Sequence, residues 1–291
     1  MSTSHALTSL PSSTVVARSL VSSLFMSFTL SLFSSTVFAD TLATTEDLCP
    51  SKTGASIVGI AKQVDNGEFL YCEYHFLQNQ QLSVLNSVQS MGDAVIVTVE
   101  YRDKSQALLA VKKADFSADR LSPNVEQIDN RHGEKVSIQR GKSQNKMDVI
   151  MITYFPPNTN TAKTAEVDAS SITVADAGFD NAVRTYWQDI IVEKKVIVDF
   201  VAPVQQTTVN LSIKSRDIKR CNSLSDSVQY NAAEHLCVTA QAANVILNWF
   251  VKPIILVYER QSKRLVAFSG AVNLSDNNGD AQSATILYRY Q

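Results

Sequence analysis

After Asp40 the chain alternates apolar and polar residues with a period of two along most of its length, the pattern of strands that bury one face. Stretches 55–62 and 68–77 flank Val64-Asp65-Asn66-Gly67. Asn-Gly supplies the positive φ angles of a tight primed turn, so the pattern predicts a hairpin. Further strands are predicted at 94–101, 106–113, 125–130, 134–140 and 148–154, separated by polar turns such as Arg102-Asp103-Lys104-Ser105 and His132-Gly133. This half reads as an antiparallel meander.

Residues 155–166 lose the period (PPNTNTAKTA at their centre) and read as a surface loop marking the halfway point. One main helix is expected next: Asp176 can cap its start, and Phe179, Val183, Tyr186, Trp187 and Ile190 recur at three- and four-residue steps, giving it an aromatic face. Strands resume at 196–201, 207–214, 235–241, 254–259, 264–269 and 282–290, with a short helix expected at 243–251 from Val245, Ile246, Trp249 and Phe250. The fold class is therefore mainly β: a large curved antiparallel sheet, half-barrel or barrel-like, with one main helix.

Several strands are apolar on both faces, among them 94–101, 149–154 and 254–258. A helix of about 16 residues is ~24 Å long and ~10 Å wide, and ten strands at ~4.8 Å spacing span roughly 48 Å. One helix covers two or three of them. The rest of the inner face has to close on itself, pack in a sandwich or bend around a cavity.

The first 39 residues stand outside this pattern. Arg18 is the only formally charged residue before Asp40, 19–33 form a serine-diluted apolar run, and Val37-Phe38-Ala39 places small residues at a signal-peptidase site. Residues 1–39 are expected to be a signal peptide and 40–291 a single β-rich domain, exported and soluble after cleavage. Four cysteines follow the leader, Cys49, Cys72, Cys221 and Cys237. An even count in an exported chain argues for disulfides, with three connectivities open. Local pairing of Cys49 with Cys72 and Cys221 with Cys237 is expected, since each pair encloses a short polar segment. A formal net charge of -2 gives no basic excess for nucleic acid.

Candidate chemistry is sparse. Lys52-Thr53-Gly54, Ser143 with Lys146, and Ser275-Asp276-Asn277 are fragments of the β-lactamase set, but their order is scrambled and Ser143 falls in a polar turn. Neither GxSxG, HExxH, GxGxxG nor GxxxxGK[ST] occurs. No catalytic residue, cofactor or metal site is expected: there is no CxxC, and His75, His132 and His235 show no zinc-ligand spacing. His75 is expected on one strand face with Phe69 and Tyr71. An outer-membrane barrel is disfavoured, because Lys112, Lys113, Glu134, Lys135 and Asp199 interrupt the strands that would face lipid.

Asp176-Ala177-Gly178-Phe179-Asp180, then Val183-Arg184, Trp187 and 198–203, resemble a group of uncharacterised exported bacterial proteins, as do Pro253-Ile254, Tyr258, Arg264-Leu265, Phe268, Gly270 and Asn273. The likeness covers residues 176–290 and, more faintly, 71–129. It implies an envelope protein of the bacterial periplasm with a curved antiparallel sheet similar to bacterial lipoprotein carriers, with no activity to transfer. The expected role is a non-enzymatic binding module for a lipid or other apolar or acyl ligand, contacted by Phe179, Val183, Tyr186, Trp187 and Trp249. The alternative is a structural module that binds an envelope protein partner.

Overall fold

In the computed structural model, which describes residues 48–78, 95–145, 147–224, 228–243 and 253–291, the period-two segments pair into one fifteen-stranded sheet. Its first half comprises β1 (Ile57–Gln63), β2 (Phe69–Gln78), β3 (Ile96–Arg102), β4 (Leu108–Asp115), β5 (Asn124–Asp129), β6 (Lys135–Lys142), β7 (Asp148–Phe155) and β8 (Lys163–Asp168). The second comprises β9 (Thr173–Val174), β10 (Val196–Ala202), β11 (Thr207–Arg216), β12 (His235–Ala242), β13 (Ile254–Glu259), β14 (Leu265–Ala271) and β15 (Ser283–Tyr290). Each predicted strand within the described residues is present. The leader and 244–251, including Trp249, lie outside them.

Strand order runs β8 down to β1, then β15 down to β9, so the first and last strands pair at the centre. All neighbours are antiparallel except β9 with β10. The edge strands β8 and β9 are joined by residues 169–172, five Cα steps that reach at most about 18 Å. A flat sheet of this width would separate its edges by about 67 Å. The chain therefore curls the sheet into a trough. The two edges are not paired with each other, and the barrel is not closed.

Three local expectations are corrected. In the β1–β2 turn only Gly67 has positive φ, at 71°. Its N–H reaches Gln63 O at 2.9 Å while Gln63 N–H bonds Glu68 O at 2.7 Å, so the loop has four residues and one left-handed glycine instead of two. Phe69 also leaves the face of Tyr71 and His75. The register shifts where Lys62 pairs with Phe69, so Leu70 joins Tyr71 in the inner core and Phe69 packs with Cys72 and Tyr74 on the other side. Finally, 163–168 is strand: Ala165 and Val167 are its less exposed positions and β7 supplies the backbone partners, which shortens the halfway loop to 156–162.

The single expected helix is two short ones, α1 (Gly178–Thr185) and α2 (Trp187–Ile191). They meet at Tyr186, whose backbone is out of helical geometry at φ -95°, ψ 19°. Asp176 does not cap the helix. The capping position is Ala177, and no side chain bonds the first turn.

Apolar side chains gather in two inner clusters, one per half of the trough. The first is built on Val97, Val99, Ile138, Ile150 and Ile152, the second on Val183, Trp187, Val198, Ile213, Val238 and Leu256. The outer face is covered in two places by disulfide-tethered segments. Cys49–Cys72 holds the chain before β1 against Val58, Ile60 and Tyr74. Cys221–Cys237 holds the short 3-10 turns after β11 against Val257 and Ala267. Both local pairings expected from the sequence are formed, which explains how strands such as β13 are apolar on both sides.

Candidate functional site

Between the two inner clusters lies a cavity of about 170 Å³. Strand alternation selects its lining. On β2, Tyr71, Glu73 and His75 face inward while Cys72 and Tyr74 face the outer cluster. Beside them stand Val97, Val99 and Tyr101 of β3, Lys112 and Ala114 of β4, and Ile286 and Tyr288 of β15. The second half adds Ile254, Leu256, Leu265 and Phe268, the turn before α1 adds Asp176 and Ala177, and α1 adds Phe179 and Asp180. The walls are mostly apolar, with a belt of tyrosines and charges.

The charges in that belt are paired. Lys112 Nζ lies 2.9 Å from Asp176 Oδ1, and its residue is only 9% exposed. Asn273 Nδ2 donates to the other Asp176 oxygen at 2.5 Å. Burial opposes the charge on Lys112, yet Asp176, Tyr101 and Glu73 outweigh it and hold the ammonium's pKa above its ordinary value. His75 Nε2 sits 3.0 Å from Glu73 Oε2. Burial, reinforced by Glu73, raises Tyr71 and Tyr288 well above the usual phenol range. Tyr101 is raised by burial in spite of Lys112.

Three polar atoms on lining residues lack a hydrogen-bond partner: Tyr71 Oη, His75 Nδ1 and Asp180 Oδ1, the last on a carboxylate whose other oxygen pairs with Arg184. All three are buried, although buried polar groups are paired in the great majority of cases. In the tautomer that donates from Nε2 to the Glu73 carboxylate, Nδ1 of His75 is an acceptor. The Tyr71 hydroxyl can donate or accept.

Of the ligand contacts expected from the sequence, Phe179 lines the cavity, its ring edge-on to Phe200 at 6.1 Å. Val183 is fully buried in the second cluster, with Tyr186 packed beside it. Trp187 stacks edge-on against Tyr258 at 5.8 Å and lies under the Lys263 ammonium, away from the cavity lining. Trp249 is outside the described residues. Sequence reasoning passed over Tyr71, Glu73, Tyr101, Lys112 and Tyr288. The signal was present: on a strand whose other face carries Cys72 and Tyr74, Glu73 and His75 occupy inward positions, and Lys112 falls between Ala110 and Ala114 on the buried face of β4.

The β-lactamase-like fragments are spent on structure. Lys52 pairs with Glu100 at 2.5 Å, Ser143 closes the β6–β7 turn through Met147 N at 3.2 Å, and Ser275 donates to Glu134 at 2.7 Å. No helix among the described residues is long and apolar enough to cross a membrane. No family model, curated protein or solved structure matches the chain.

Proposed function

We propose that the protein is an exported binding module whose trough holds one small amphipathic molecule, with an apolar body and a hydroxyl-type head. The observation that carries this reading is the pair of unpartnered atoms, Tyr71 Oη and His75 Nδ1, on residues that line a mostly apolar cavity whose charged groups are paired with one another. A hydroxyl both donates and accepts, and so can serve either atom. Apolar pockets with a few placed polar groups are the usual form of small-molecule sites.

Size narrows the ligand. An apolar cavity of about 150 Å³ takes up benzene, so 170 Å³ suits a short or compact ligand. A long acyl chain is too large to be enclosed. This restricts the carrier-like reading to a small cargo. Two disulfides support an oxidising, exported location. The rival reading is a structural or interaction module that meets an envelope partner through strand edges or the loop around Asn158, and its strand-edge form has little to work with. Edge β9 is two residues long, and edge β8 carries Lys163, Glu166 and Asp168 at exposed positions.

The test is a thermal-shift series on purified protein with compact alcohols and their hydrocarbon isosteres. Alcohols should stabilise more than the hydrocarbons, and Tyr71→Phe should weaken their binding roughly 3- to 10-fold, the worth of about one hydrogen bond. Filling the cavity with Ala114→Leu should abolish the shift. Equal response to alcohols and hydrocarbons, or an unchanged response in Ala114→Leu, would defeat the proposal.

A further inference from the structure

The β5–β6 turn carries a second cluster of buried polar groups, distinct from the cavity. Asp129 ends β5, Glu134 precedes β6, and His132 lies between them. Asp129 is fully buried, Glu134 is 5% exposed and His132 is 8% exposed. Their ligating atoms all lie within 4.8 Å of one another. The turn is fixed by its own backbone: Asp129 N–H bonds Glu134 O and Gly133 N–H bonds Asp129 O, both at 2.9 Å, while Asn158 N–H holds His132 O at 2.7 Å.

His132 is the anomaly. Both of its ring nitrogens are buried without a hydrogen bond. Asp129 Oδ2 stands 3.4 Å from Nε2 without forming a hydrogen bond. Leaving two polar atoms of one imidazole unmatched costs about 1 to 3 kcal/mol per atom. Something other than protein is expected to engage Nε2, the nitrogen on the Asp129 side.

We infer that Asp129, His132 and Glu134 form a site for one divalent cation of the zinc class. At metal–ligand bonds of about 2.0–2.1 Å, adjacent ligands of a tetrahedral ion stand about 3.4 Å apart. The Asp129–His132 separation already equals that edge, and a Glu134 oxygen lies within 4.8 Å of both. The carboxylates are also held as metal ligands usually are, by outer hydrogen bonds. Arg131 grips both Asp129 oxygens at 3.0 and 2.6 Å. Tyr154 and Ser275 donate to the two Glu134 oxygens at 2.9 and 2.7 Å. Asp129 Oδ1 accepts from both the backbone N–H and Nε of Arg131 and is filled, while Asp129 Oδ2 and the two Glu134 oxygens accept one bond each and keep a lone pair for an ion. Two buried carboxylates facing one guanidinium leave this cluster net negative, which favours a cation. An imidazole with two carboxylates matches zinc better than calcium, which requires six or more oxygens. The ion would lock the β5–β6 turn to the β14–β15 connection through Ser275.

The experiment uses the purified, oxidised full chain, stripped with EDTA and then given Zn2+. One equivalent should remain bound after gel filtration, the melting temperature should rise, and EDTA should reverse the rise. Imidazole ¹⁵N resonances of His132 should shift while those of His75 and His235 stay in place. His132→Gln and Glu134→Gln should each weaken Zn2+ binding at least tenfold, and Ca2+ should leave the melting temperature unchanged. Substoichiometric zinc, shifts at other histidines, or undiminished binding by His132→Gln would each overturn the inference. Should the variants fail to fold, the resonance shifts of the unmodified chain decide alone.

Discussion

At the scale of the residue, two positions are governed by what surrounds them and not by local propensity. Asp176 could have capped a helix, but it sits at φ 44° and spends its carboxylate on Lys112 and Asn273. An unpaired ammonium in the trough would be far costlier than an uncapped first turn. Lys112→Met should lose about 3 to 5 kcal/mol because it strands the Asp176 charge. Adding Asp176→Asn, which also tolerates the left-handed backbone, should restore more than half of that loss in urea titration. Gly178 is the second case. An alanine Cβ there would meet Leu121 O at 1.9 Å. Glycine to alanine inside a helix normally gains up to about 1 kcal/mol. Here Gly178→Ala should instead destabilise by about 2 kcal/mol or more, since a backbone carbonyl has to move. A denaturation midpoint equal to or above the parent's would refute that account.

At the scale of the element, the two disulfides are clamps on flaps. Cys49–Cys72 and Cys221–Cys237 span 23 and 16 residues, loops for which restriction of the unfolded chain contributes about 3 kcal/mol each. The difference in loop length changes this by only a few tenths. What distinguishes them is what they cover: the first shields Val58 and Tyr74 on central strands, the second Val257 and Ala267. Replacing Cys221 and Cys237 together with serine should cost about 2 to 5 kcal/mol. Hydrogen exchange should then rise first in β12 and β13, with β1 and β2 still protected. Uniform loss of protection across the sheet would show that the flap is not a local element.

At the scale of the whole molecule, the trough gathers phenols and one ammonium on its inner side. Tyr71, Tyr101, Tyr258 and Tyr288, of nine tyrosines in the chain, all have raised pKa values, with burial the leading cause. Lys112 is raised as well, through its charged neighbours. Groups raised in the folded state hold their protons longer than the unfolded chain does, so their contribution is complete below the unfolded values near 10 and 10.5 and is lost as pH climbs beyond them. Alkaline titration should therefore show a cooperative step above about pH 10, with phenolate absorbance and loss of far-ultraviolet dichroism coinciding. Gradual phenolate formation with the dichroism intact would mean that the interior admits hydroxide without unfolding.

Much of this architecture was legible because side-chain alternation is a local property. Val95 to Tyr101 or Thr207 to Lys214 announce strands through their own spacing, and the short polar segments between cysteines announced their partners. Turn and helix details were less legible: one glycine with positive φ lengthened a turn, and a buried lysine took Asp176 away from its helix. The functional candidates were the least legible. The sequence by itself determined which residues alternate, and hence a wide sheet with more apolar surface than a helix can cover. Only the tertiary structure decided that β1 meets β15, that the trough brings Glu73 and His75 to Lys112 and Asp176, and that one turn gathers Asp129, His132 and Glu134. Such meetings depend on the curl imposed when a short connection ties opposite edges of the sheet, and no window of local sequence encodes that closure.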